Sequence, residues 1–121
     1  GTFSSTECEF FDNAAGYRGG ALSASDADDD LDGDEYGSPS IVYLRSGAML
    51  RNTVWGCYSN PWPSCGYGGA LRADSGSEAI LYDMEIAGNS AEIGGGISVA
   101  EAARVSCTSV NISSNAAGEA G

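Results

Sequence analysis

The chain has no lysine and no histidine, and its five basic residues, all arginine, face 17 acidic ones for a net charge of −12. Such a surface repels phosphate backbones and anionic membranes, which argues against a nucleic-acid partner and favours calcium or another hard cation. The same shortage removes lysine and histidine as general bases, and arginine is rarely deprotonated. No run approaches the ~20 apolar residues that span a bilayer, and no charged-then-apolar leader opens the chain. Four cysteines are compatible with an oxidising compartment but too few to define a disulfide scaffold. Threonine occurs only at positions 2, 6, 53 and 108, so the regular array expected of an ice-binding solenoid is missing.

What the chain does have is glycine, 18 in 121 residues, and the glycines recur in register. Gly19-Gly20-Ala21-Leu22, Gly68-Gly69-Ala70-Leu71 and Gly94-Gly95-Gly96-Ile97 stack on one another. Upstream of them stand Asn13, Asn60 and Asn89, and Asn115 continues the series. Leu71 to Ile97 and Asn89 to Asn115 are both 26 residues, a solenoid period. Inside each repeat the apolar residues alternate, as in a strand: Met84 and Ile86, Val105 and Cys107, Val110 and Ile112, with Cys8 and Phe10 matched in the first repeat and Trp55 and Cys57 in the second. Three short strands per repeat cannot bury themselves alone, but stacking at ~4.8 Å makes three parallel sheets around a narrow core. The expected fold is all-β, a right-handed parallel β-helix (β-solenoid) of about four rungs. It forms one segment over residues 1–121, with insertions at about 23–40 and 58–66. Gly1 and Gly121 interrupt repeat units, so the segment is expected to be a fragment of a longer solenoid. Leu22, Leu71 and Ile97 should form one inward file.

The pairing of Phe10-Phe11-Asp12-Asn13 with Gly19-Gly20-Ala21-Leu22 resembles the FxxN and GGA[ILV] repeat of polymorphic outer membrane proteins, which also occurs in large algal and protist surface proteins. Ile86-Ala87-Gly88-Asn89 with Gly94-Gly95-Gly96-Ile97 departs by Ile for Phe and Gly for Ala. Cys57-Tyr58-Ser59-Asn60 loses the Phe ahead of an intact Gly68-Gly69-Ala70-Leu71, and Ile112-Ser113-Ser114-Asn115 keeps the asparagine alone. The resemblance implies a structural or adhesive passenger segment, extracellular or at the cell surface.

Asn13, Asn60, Asn89 and Asn115 are expected to form a structural turn ladder, each bonding backbone amides that a tight corner leaves unpaired. In the first insertion, Asp28, Asp30, Asp32 and Asp34 stand at alternate positions around Gly33. This is the spacing of a calcium loop, with oxygens at alternate places and a glycine at the sharp turn. Counted from Asp28, the twelfth place is Pro39, so no glutamate closes the site. The bland reading is a solvated acidic loop.

The second insertion carries Pro61-Trp62-Pro63 between Cys57 and Cys65. The expected disulfide is Cys57–Cys65, since two thiols without histidine make a poor zinc set. Cys8 and Cys107 fall in the first and fourth rungs, ~14 Å apart, beyond the ~7 Å reach of a disulfide. They are expected to be buried small hydrophobes, or to pair outside the segment. Asn111-Ile112-Ser113 is a glycosylation sequon, with Asn111 pointing outward between two inward neighbours.

The functional expectation is therefore a structural or adhesive repeat segment of a secreted or cell-surface protein, part of an extracellular fibre or appendage. Its partners would be neighbouring repeats or subunits, and glycans. The alternative is a carbohydrate-binding or polysaccharide-degrading β-helix domain, lyase or hydrolase. That reading would need two facing carboxylates, for which Asp74, Asp83 and Glu85 are available but not singled out.

Overall fold

The computed structural model describes residues 1–25, 40–58 and 64–120; for Cys57, Tyr58, Ser64, Cys65, Glu119 and Ala120 it describes the backbone alone. Among the described residues every regular element is a strand. The described residues make four passes. The first contributes β1 (Thr2–Thr6), β2 (Glu9–Phe11), β3 (Ala14–Ala15) and β4 (Leu22–Ser25). The second contributes β5 (Ile41–Leu50), β6 (Thr53–Val54), β7 (Cys57–Tyr58), β8 (Ser64–Cys65) and β9 (Leu71–Asp74). The third has β10 (Glu78–Ala87), β11 (Ser90–Ile93) and β12 (Ile97–Val99), and the fourth β13 (Arg104–Thr108), β14 (Asn111–Ser113) and β15 (Ala116–Ala120).

Every pass feeds the sheets in the same order. The first sheet runs β1-β5-β10-β13, with β2 beside β5 and β14 beside β10; the second runs β3-β6-β11-β15; the third runs β4-β9-β12. All three are parallel. Among the described residues only the small hairpin β7–β8 is antiparallel, and it leaves the second pass between the second and third sheets.

The register explains the alternation in the sequence. Phe3, Val42, Ala79 and Val105 are partners in one file, and Ser5, Leu44, Leu81 and Cys107 in the next. Phe10, Met49, Ile86 and Ile112 form a third, while Leu22, Leu71 and Ile97 form the expected file in the third sheet. Their middle members make the core: Leu44, Met49, Leu71, Leu81 and Ile86 are fully buried, each worth about 1.5–3 kcal/mol of burial. The end members are not. Phe3 is 45% exposed and Ile112 51%, because a first or last pass has a neighbour on one side only.

That geometry corrects two expectations. Cys8 and Cys107 are free and exposed rather than buried, since they belong to the first and last passes. Trp55 does not face inward with Phe10; it is 75% exposed, and Met49 holds the inward place in the second pass.

Corners are filed as strictly as strands. Glu7, Ser46, Asp83 and Ser109 all have positive φ at the bend within or between strands of the first sheet. Asp12, Arg51, Gly88 and Ser114 do so at the next. At the Gly-Gly corner, Gly19, Gly68 and Gly94 are left-handed, and their neighbours Gly20 and Gly69 admit no side chain. A Cβ on Gly20 would overlap the Gly69 carbonyl, and one on Gly69 the Gly95 carbonyl. Backbone approaching backbone is why glycine is needed there.

Candidate functional site

The most ordered polar feature is a file of asparagines, each directly following a left-handed residue. Asn13 gives both its backbone N–H and its Nδ2 to Asn52 Oδ1, at 3.1 and 2.8 Å. Asn52 gives the same two groups to Asn89 Oδ1, at 2.8 and 2.9 Å, and Asn89 to Asn115 Oδ1, at 2.9 and 2.8 Å. The second Nδ2 hydrogen reaches back to the preceding pass: Asn52 to Phe10 O, Asn89 to Met49 O and Asn115 to Ile86 O, all at 2.9 Å. Each side chain thus continues, through a corner, the ladder that the backbone cannot keep. Asn52 and Asn89 are completely buried, and a buried amide left unpaired would cost about 1–3 kcal/mol.

The second-pass member of this file is Asn52, not Asn60. Asn60 lies outside the described residues, and the place assigned to it from sequence is filled 39 residues after Asn13 and 37 before Asn89. Asn13, Asn89 and Asn115 stand in the file as expected.

A second polar cluster lies on the third sheet. Arg72 Nε and Arg18 Nη1 both donate to Asp74 Oδ2, at 3.2 and 3.0 Å, and Arg72 Nη1 donates to Ser98 Oγ at 2.6 Å. Tyr67 lies under the Arg72 guanidinium at 4.6 Å and meets Tyr17 edge-on at 5.9 Å. Arg72 and Asp74 are buried, a placement that a carboxylate and a guanidinium tolerate only as a pair. Among the described residues Asp74 Oδ1 finds no hydrogen-bond partner. The sequence offers Asp74 only as one available carboxylate; its pairing with Arg72, two residues earlier on the same face of the strand, comes from the structure.

The outer face of the first sheet is polar and aromatic. Asp83 and Glu85 line a shallow acidic depression with Glu7, Glu9, Ser109 and Asn111, and Ser46 Oγ donates to Asp83 at 3.2 Å. Asp74 sits on a different sheet, so the three carboxylates considered for sugar chemistry do not converge. Further along the face Tyr43 and Tyr82 are exposed, with Arg45 over the Tyr82 ring at 5.2 Å. Asn111 pairs with Glu85 in the register and is exposed.

Asp28, Asp30, Asp32 and Asp34 lie outside the described residues. Among the described residues no group of three or more histidine, cysteine or acidic side chains is placed to hold a metal. The backbones of Cys57 and Cys65 face each other as partners in the hairpin, while their side chains lie outside what is described. No helix among the described residues is long and apolar enough to cross a membrane. Neither a protein-family model, nor a curated protein, nor a solved structure matches the chain.

Proposed function

We propose that the chain is a segment of right-handed parallel β-helix that serves a secreted or cell-surface protein as a structural and adhesive repeat. Neighbouring repeats or subunits of the same assembly are its partners. The observation that carries this reading is the asparagine file, in which steps of 39, 37 and 26 residues each carry one amide onto the next with unchanged bonding. A buried polar file of this kind contributes nothing to catalysis and a great deal to fixing how passes stack. The constant strand order supports the coil, and a strand returning to the same parallel sheet does so right-handedly in nearly all proteins. The likeness to the polymorphic outer membrane protein repeat points the same way.

The test is to lengthen the coil by one rung. Duplicating residues 78–103, one full step of the Glu78–Arg104 register, should add ~4.8 Å to the long axis in solution scattering. It should also raise the urea midpoint, as in other repeat arrays. A duplicate that unfolds, or that gains chain without gaining length, removes the reading.

A second reading, a carbohydrate-binding domain, draws on Tyr43 and Tyr82, exposed on a flat face beside Arg45. Exposed aromatics offer sugar rings an apolar platform, and the −12 charge would favour neutral glycans. Binding to a glycan array that is lost in Tyr43→Ala plus Tyr82→Ala would support it; no binding by the wild type would end it.

A further inference from the structure

We infer that the outer face of the first sheet takes an acidic glycan, with Tyr43 and Tyr82 under neighbouring sugars and the Arg45 guanidinium on a carboxylate or sulfate of the chain. This rests on the carbohydrate-binding reading and deepens it by giving the ligand its charge.

The platform is built by register. β5 turns Tyr43 and Arg45 outward and β10 turns Ile80 and Tyr82 outward, because alternate positions of a strand share a face. Ile80 pairs with Tyr43 and Tyr82 with Arg45, so the four form a square with the tyrosines on one diagonal. One pass and two residues separate the tyrosines, about 8 Å at Cα, which suits two sugars of one chain better than a single ring. β1 lies beside β5 and β13 beside β10, so the square is interior to the sheet. Ser4 and Thr6 continue its two rows on one side, and Ser106 and Thr108 on the other. Tyr43 is 41% and Tyr82 45% exposed.

Charge singles out Arg45. Arg18 and Arg72 share Asp74, and Arg51 holds Asp12. Arg45 has no carboxylate partner among the described residues, in a chain with 17 acidic residues against five arginines. Its guanidinium lies over the Tyr82 ring instead, which fixes the plane of the fork and leaves its N–H rim for an oxyanion. The hollow around it holds about 450 Å³, and none of the residues lining it is acidic. The outward carboxylates of this sheet gather past the bend, at Glu7, Glu9, Asp83 and Glu85, where Asp83 accepts from Ser46. Before the bend the outward acid is Glu78, at the far end of β10 with Arg104 as its register partner. The net charge of −12 repels anions at long range, but physiological salt screens charges beyond ~8 Å. A chain lying on this face meets aromatic rings, hydroxyls and a guanidinium. An acidic peptide would satisfy Arg45 alone, whereas the two tyrosine faces match the apolar faces of sugar rings.

Titration calorimetry tests this with a uronic-acid tetrasaccharide, its methyl ester, a sulfated tetrasaccharide of a neutral hexose, and a glutamate tetrapeptide. The wild type should bind the uronate or the sulfated sugar about tenfold or more tighter than the ester, and the tighter of the two identifies the anionic group. Arg45→Gln should abolish that preference and leave the ester unaffected. Tyr43→Ala and Tyr82→Ala should weaken every sugar, and Arg104→Gln, outside the hollow, should change nothing. An unchanged urea midpoint shows that each variant is folded. Equal binding of the ester and both anionic sugars, a preference that survives Arg45→Gln, or a glutamate peptide bound as tightly as the uronate would each overturn the inference. The first of these leaves the carbohydrate reading standing for neutral glycans, whereas no binding of any sugar ends both.

Discussion

Asn52 receives two hydrogen bonds on one oxygen, the backbone N–H and the side-chain Nδ2 of Asn13 both pointing at its Oδ1. The same residue donates its own pair to Asn89 while fully buried, so its removal orphans groups on two neighbouring passes. Asn52→Ala and Asn89→Ala should each cost about 3 kcal/mol or more. Asn115→Ala, at the open end, should cost about 1–2 kcal/mol. Urea denaturation of the three variants checks the order; equal losses at all three positions would mean the file is not cooperative.

Left-handed corners held by residues other than glycine carry local strain. Ser109, with φ 53° and a solvent-exposed side chain, should tolerate Ser109→Gly with a gain of about 0.5 kcal/mol, the relieved strain exceeding glycine's entropy cost. Gly94→Ala should do the reverse and lose about 2 kcal/mol or more. Its φ is 63° and its Cβ would stand 2.6 Å from the Ile97 carbonyl oxygen. Thermal melts of both variants suffice.

The Asp12–Arg51 pair is bidentate but exposed on both sides. The hydrogen bond from Arg51 holds the Asp12 carboxyl below its ordinary 3.8, with the Arg51 charge acting the same way. The folded value is therefore depressed. Whatever stability the pair gives is complete above the unfolded value and is lost as pH falls through the folded one. Carboxyl NMR titration should place Asp12 below 3.8 and return it towards that value in Arg51→Gln and in high salt.

Cysteine chemistry should divide by location. Partners facing each other across an antiparallel pair stand ~4.5–5.5 Å apart at Cα, inside the range a disulfide needs, so Cys57 and Cys65 should be joined. A thiol reagent should label Cys8 and Cys107 in the native protein and neither of the other two. Partial burial of the otherwise exposed Cys107 pushes its thiol up, so its labelling rate should keep rising above the pH at which an ordinary thiol levels off. Peptide mapping without reduction reads both results, and labelled Cys57 would refute the bond.

The acidic insertion is to be tested by calorimetry with calcium. Binding through Asp28, Asp30, Asp32 and Asp34 should appear as weak, saturable heat that disappears in Asp30→Asn plus Asp32→Asn. No heat, or heat unchanged in the double variant, leaves a solvated acidic loop.

Much of this architecture was legible in the residues, and the failures have physical causes. The file Leu22, Leu71 and Ile97 follows from the Gly-Gly pairs, because no other residue fits where backbones nearly touch. Asn52 was missed because counting back from Gly68 crosses the β7–β8 hairpin, which displaces the glycines without displacing the strand before them. Counting forward from the core would have found it. Phe10, Met49, Ile86 and Ile112 are partners in one file, and each stands three residues ahead of Asn13, Asn52, Asn89 and Asn115. The exposure of Cys8 and Cys107 was not legible, since alternation tells which way a side chain points and not whether another pass covers it.

The stacking of passes also fixes how the molecule answers force. Interstrand hydrogen bonds connect one pass to the next, so tension along the stack loads the passes in series. Peeling one 26-residue pass surrenders only ~4.8 Å of folded height but frees ~90 Å of extended chain. Passes stacked this way are short at rest and lengthen under load in unequal steps, because their asparagines stand 39, 37 and 26 residues apart, and each regains its place because the next asparagine waits in register.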